Sequence, residues 1–136
     1  MLQKGILNPQ INHLLSRIRH TNTLVIADWA FPHFKDLEII DISLTRGVPL
    51  ITDLLDLLAP NFKVGHIWQA SQFLDTNPQD VIEIYDSKFE AFKANQPNLQ
   101  ITRLDHDAFK KMVPNAIGLI RTGDPTAYGN LILESV

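Results

Sequence analysis

Two Asn-Pro steps, Asn8-Pro9 and Asn77-Pro78, each open a stretch of helical spacing, and short apolar runs separate those stretches from one another. Asparagine accepts a hydrogen bond from the free amides of a first helical turn, and proline suits the first helical position. After the first step, Ile11, Leu14, Leu15 and Ile18 recur on one helical face. The second opens a helix over roughly Pro78 to Ala94, carrying Val81, Ile84, Tyr85, Phe89 and Phe92. A shorter helix fits Ile51 to Leu58, with Ile51, Leu54, Leu55 and Leu58 together, and another fits Asp107 to Val113. Strands are predicted at Leu24 to Ala27, Leu37 to Leu44, Lys63 to Ala70, Leu99 to Leu104, Ala116 to Arg121 and Asn130 to Glu134. Phe31 to Asp36 reads as a loop and Arg46 to Pro49 as a turn. Helices alternating with short apolar strands specify an α/β fold, an open sheet with helices on its faces.

The chain of 136 residues shows no internal repeat or linker, so one domain over residues 1–136 is expected. A net charge of −3 offers no basic footprint, which argues against nucleic acid as a partner. No apolar run approaches the roughly 20 residues of a membrane span, so no membrane is expected either. The first residues lack the apolar core and small-residue cleavage site of an export signal, which favours the cytoplasm. With no cysteine, disulfides, thiolate catalysis and zinc–sulfur sites are excluded.

Polar residues cluster in two places. The first is Arg19-His20-Thr21-Asn22-Thr23, leading into the apolar run Leu24 to Ala27 and ending on Asp28. A carboxylate at the carboxyl end of a buried strand is where open α/β sheets place binding groups. It is equally a place for an Asp that caps the next turn. The second is Arg121-Thr122-Gly123-Asp124-Pro125-Thr126-Ala127-Tyr128-Gly129-Asn130, between the last two strands. Tyr128 and Asn130 straddle Gly129 and fit either a ligand grip or a hairpin-like turn. Of the 5 histidines, His20 and His106 lie at element junctions. His13 falls within a helix, His66 sits beside Trp68 in a strand, and His33 is in a loop. None has H-x-x-x-H or H-E-x-x-H spacing, so no metal site is read from the sequence.

Taken together, these residues resemble a known family. Gly5-Ile6-Leu7-Asn8, His20-Thr21-x-Thr23-Leu24-Val25-x-x-Asp28, and Ile40-Asp41 followed by Leu44-Thr45-x-Gly47-Val48-Pro49 are similar to the D-ribose pyranase and L-fucose mutarotase family. His106, Ile120-Arg121-Thr122-Gly123 and Tyr128-x-Asn130 continue the resemblance in order to the end of the chain. It implies a cofactor-free isomerase acting on the anomeric centre of a free monosaccharide of the ribose or fucose class. It also implies a ring-forming homo-oligomer, a pentamer or decamer, with sites at subunit contacts. By this resemblance His20 is the catalytic residue. Asp28, His106, Tyr128, Gly129 and Asn130 then bind the sugar.

The chain also departs from the family pattern. Arg19 and Asn22 replace the Gly and the acidic residue usual around the His-Thr step, and Asp124 stands where Glu is usual. The loop Trp29-Ala30-Phe31-Pro32-His33-Phe34 departs from the pyranases; its Phe31-Pro32 step is nearer the mutarotase form, as are Asp53-Leu54-Leu55 and Tyr128-Gly129-Asn130, while His106 matches the pyranases. D-ribose pyranase is therefore the leading expectation, with L-fucose mutarotase and a non-catalytic sugar-binding protein as alternatives. Trp29 or Phe31 is expected either to wall the sugar or to pack in the core. The expectation that carries the rest is that His20 and Asp28, at opposite ends of one buried strand, converge on one hemiacetal.

Overall fold

The computed structural model describes residues 1–136. Six strands form one sheet: β1 (Thr23–Ala27), β2 (Ile39–Asp41), β3 (Val64–Ala70), β4 (Gln100–Leu104), β5 (Gly118–Arg121) and β6 (Leu131–Ser135). Five helices accompany it: α1 (Pro9–Arg17), α2 (Ile51–Leu58), α3 (Gln72–Thr76), α4 (Gln79–Lys93) and α5 (His106–Met112). A single 3₁₀ turn, Val113–Asn115, follows α5.

The strand order is β2-β5-β1-β6-β3-β4. β1 and β2 run parallel to β5, and β3 runs parallel to β4. β6 is antiparallel to both β1 and β3, so it alone opposes the other strands. The carboxyl ends of β1 to β5 therefore share one edge of the sheet, and β6 begins there. That edge is where an open α/β sheet binds ligands.

Strand alternation divides the core in two. Leu24, Ile26, Ile67, Ile120, Leu131 and Leu133 face α1, α2 and α4, whose Leu14, Leu55, Leu58, Tyr85, Phe89 and Phe92 complete the larger cluster. Val25, Ala27, Leu119 and Ile132 face the other way and meet Phe31, Phe109 and Val113 in a smaller one. Helices thus cover both faces as expected, with α5 the main cover of the second. No helix is long and apolar enough to cross a membrane.

The first Asn-Pro step behaves as read: Asn8 Oδ1 accepts from the Ile11 amide at 3.0 Å, with Pro9 as the first helical residue. The second does not. Pro78 is itself the cap residue of α4, and Asn77 closes the short α3, a helix the sequence pattern did not signal. Asn77 Nδ2 donates backwards to the Phe73 carbonyl at 2.9 Å and across to the Ala127 carbonyl at 2.8 Å. β2 is also shorter than the Leu37–Leu44 run. Its last residues leave the sheet to form a tight hairpin in which Thr45 pairs with Val48.

Candidate active site

Each parallel strand delivers a polar residue to the shared edge. Asp28 follows β1, Arg121 ends β5, Asp41 ends β2, Gln72 opens the helix after β3, and Asp105-His106 follow β4. Tyr128, Gly129 and Asn130 arrive just before β6. The fold brings Asp28, His106, Tyr128 and Asn130 together because all of them lie at this edge.

Asp28 and Asn130 form a reciprocal pair. The Asp28 amide donates to Asn130 Oδ1 at 2.7 Å, and Asn130 Nδ2 donates to Asp28 Oδ2 at 2.8 Å. The other carboxylate oxygen, Oδ1, accepts from the Ala30 amide at 2.9 Å and fixes the start of the following loop. An ionised carboxylate offers about four lone-pair sites, so each oxygen keeps acceptor capacity for a hydroxyl. Asn130 is nearly fully buried and Asp28 half-buried, so the pair presents its open side to solvent. Asp28 thus caps the next turn, and its position is at the shared edge.

His106 stands at the start of α5, its amide donating to Gln72 Oε1 at 3.1 Å. Gln72 Nε2 in turn donates to the cap residue Asp105 at 2.9 Å. The Asp107 amide and then Gln72 hold the Asp105 carboxyl below its ordinary range. The His106 ring meets the Tyr128 ring edge to face, with centroids 5.1 Å apart and planes at 83°. Its Nδ1 is buried without a hydrogen-bond partner. Buried polar atoms rarely stay unpaired.

Tyr128 has φ 56°, one of two non-glycine residues in the left-handed region. The other is Thr21, φ 65°, immediately after His20. Such backbone costs on the order of 1–3 kcal/mol per residue, and the sites that hold it are commonly functional. Here the strain sits on the two segments that the sequence singles out.

Behind Tyr128 lies a buried carboxylate. Asp124 is 1% exposed and accepts from the Ile51 amide at 2.8 Å, the Thr126 amide at 2.7 Å and the Tyr85 hydroxyl at 3.4 Å. Burial, and then the charge of Asp124, push the Tyr85 phenol well above its ordinary range, so it remains a donor. The Asp124 carbonyl also accepts from the Trp29 amide at 3.2 Å, which joins the two polar segments of the chain. Helical spacing places Tyr85 among the apolar residues of its helix. Its hydroxyl role depends on a partner 39 positions away that no local pattern reveals.

Gly129 is constrained by the same tyrosine. A Cβ there would lie 2.5 Å from the Tyr85 hydroxyl. Gly129→Ala is expected to cost about 1–3 kcal/mol, the usual penalty of overpacking. Adding Tyr85→Phe should absorb part of that cost in a denaturant-melt cycle, whereas strict additivity of the two changes would contradict the contact.

His20 is elsewhere. It lies in the exposed turn before β1, and β1 spans five residues, about 17 Å at roughly 3.3 Å per residue. Within one chain it does not meet Asp28. The turn is tied to the far end of β6: the Thr21 amide donates to the Ser135 carbonyl at 3.0 Å, the Ser135 amide to Asn22 at 2.9 Å, and the Ser135 hydroxyl to Arg19. His66 stacks on Trp68 at 3.8 Å and bonds Thr102, a packing role, while His13 and His33 are exposed. Phe31 packs in the core against Phe109, and Trp29 stays 51% exposed beneath the Arg46 guanidinium.

Comparison with known proteins covers the whole chain. A family model described as the RbsD / FucU transport protein family matches residues 1–136. A D-ribose pyranase of Geobacillus thermodenitrificans (strain NG80-2) is 36% identical over 135 residues, covering 99% of this chain and 96% of the relative. The structure of Bacillus subtilis RbsD complexed with D-ribose superposes with TM-score 0.86 at 30% identity, covering 99% of this chain and 97% of that one. Streptococcus pneumoniae fucose mutarotase, solved in complex with L-fucose, shares the fold at TM-score 0.80 and 20% identity, covering 98% and 97%. A match along the whole length, in sequence and in fold, establishes that this chain belongs to the RbsD / FucU family.

Proposed function

We propose that this protein is a cofactor-free sugar isomerase, a D-ribose pyranase, that interconverts the pyranose and furanose forms of a free monosaccharide. The carrying observation is the set of polar groups gathered at one sheet edge: Asp28 paired with Asn130, the unpartnered His106 Nδ1 and Tyr128 with its left-handed backbone. Such a set suits a polyhydroxylated ligand. Kinship with curated D-ribose pyranases over nearly the whole chain supports the choice of sugar.

Chemically, ring opening protonates the ring oxygen as its bond to the anomeric carbon breaks. The anomeric hydroxyl loses its proton as the carbonyl forms. Attack on that carbonyl by a different sugar hydroxyl closes the smaller ring and reverses both transfers. An imidazole, with an unperturbed pKa of about 6.5, gives and takes protons near neutrality. In this proposal His20 is that acid and base, Asp28 holds the anomeric hydroxyl, and His106, Tyr128, Gly129 and Asn130 hold the rest. Because β1 separates His20 from Asp28, the complete site joins His20 of the partner subunit to the cluster of this one. The protein then works as a ring-forming homo-oligomer, a pentamer or decamer.

The Trp29–Phe34 loop favours a second reading, anomer exchange on a fucose-class sugar, since its form resembles that of the mutarotases. Saturation-transfer NMR on ribose, fucose, galactose and glucose, measured side by side, separates them. Accelerated pyranose–furanose exchange on ribose is the expected result. Acceleration confined to the anomers of fucose selects the second reading, and binding without acceleration of any sugar rejects both.

A further inference from the structure

We propose that Arg121 is a positioning residue for the site: flanked by Asp41, it holds the loop after β1 closed and so aims the Asp28 carboxylate. This inference rests on the proposed role of Asp28 in sugar binding.

Arg121 is the last residue of β5, and its side chain is only 13% exposed. One guanidinium nitrogen, Nη1, donates to the Phe31 carbonyl at 2.6 Å and reaches the Trp29 carbonyl at 3.4 Å. These carbonyls belong to the turn whose Ala30 amide donates to Asp28 Oδ1. Arg121 thus fixes one side of the turn and Asp28 the other. If the turn swings away from β5, the Ala30 amide leaves Oδ1, and Asn130 alone orients the carboxylate.

A carboxylate flanks the guanidinium. Asp41, its register neighbour on β2, puts Oδ2 3.9 Å from Arg121 Nε. Asp41 is oriented by the Ser43 hydroxyl and by the Ser43 amide, the latter at 2.9 Å. The Ser43 hydroxyl bond keeps the Asp41 carboxyl below its ordinary range against the opposing effect of burial, with further help from the Ser43 amide and Arg121. The resulting chain runs Ser43, Asp41, Arg121, the Trp29 and Phe31 carbonyls, Ala30, Asp28. Nη1 serves both carbonyls while Nε faces Asp41, a spread that a lysine ammonium, a point charge, does not reproduce.

The test uses the full-length protein with Arg121→Met, Arg121→Lys and Asp41→Asn, read in two ways. One readout is kcat against KM for sugar ring exchange. The other is the hydrogen-exchange protection of the Ala30 amide, which is independent of activity. Arg121→Met is expected to lower kcat by about 10–100-fold, the scale of an ångström-level misplacement, with a smaller change in KM. Protection of Ala30 should fall by at least about tenfold as the turn opens more often. Arg121→Lys and Asp41→Asn, milder changes that also serve if the methionine variant fails to fold, should fall between it and the unsubstituted protein. Unchanged kcat and unchanged Ala30 protection in these variants would overturn the proposal. So would a rise confined to KM with Ala30 still protected, which would make Arg121 a direct sugar contact. If the unsubstituted protein accelerates no sugar, the isomerase reading fails, while the Ala30 measurement still decides whether Arg121 holds the turn.

Discussion

Alanine in place of His20 is expected to slow catalysed ring exchange by roughly 10²–10⁴-fold, the usual contribution of a general acid–base group. His20 lies exposed in the turn before β1, so folding should hardly notice the change, within about 0.5 kcal/mol. The more discriminating result comes from a mixture. Subunits carrying His20→Ala and subunits carrying Asp28→Asn should each be nearly inactive when assembled alone. Refolded or co-expressed together in equal amounts, they should recover activity at about one site in four, because some contacts then join an intact His20 to an intact Asp28. A mixture as inactive as its components would sink the shared site. Saturation-transfer NMR on the assembled mixture reads the outcome directly.

Gly123→Ala should give the largest loss of stability. A Cβ at Gly123 would collide with the backbone oxygens of Thr45 and Val48 and lie 2.9 Å from the Val48 carbonyl carbon. None of these atoms belongs to a flexible side chain. The Leu44–Pro49 hairpin would have to move off the end of β5, breaking the bonds from Gly47 to Gly123 at 2.6 Å and from Gly123 to Pro49 at 2.9 Å. Overpacking together with lost hydrogen bonds suggests about 3 kcal/mol or more. For a domain of this size that lowers the melting temperature by roughly 10 °C. Calorimetry is the check, and a shift under about 2 °C would mean that the hairpin yields easily. Since Gly123 neighbours Arg121 and Asp124, activity should fall along with stability.

Much of the fold was legible because local chemistry and tertiary packing agree. Asn8 caps the helix it announces, and β1, β3, β4, β5 and β6 coincide with apolar runs to within a few residues. The sequence misled where an apolar residue stays outside the core. Leu44 extends the predicted second strand but is 82% exposed in the hairpin. It was silent where an element is too short for periodicity to register, as in the five residues of α3. Asp28, His106, Tyr128 and Asn130 stood out as candidates because they sit near the ends of elements and the family resemblance runs through them. The residues that support them could not be, since their partners are distant in sequence: Arg121 serves a carbonyl 90 positions away, and Tyr85 bonds a carboxylate 39 positions away. Nor could any periodicity show that α1, α2 and α4 share one face of the sheet. That depends on the strand order, which local patterns do not encode.

The reversed direction of β6 links the two ends of the molecule. One end of that strand adjoins Asn130, and the other is hydrogen-bonded to the turn that bears His20. If sites form between neighbours, each chain contributes half of one site and half of another, with a stiff five-residue strut between them. A sugar that tightens Asn130 at one site would pull on the histidine of the next. Successive sites around a closed assembly would then be mechanically coupled through the width of every sheet.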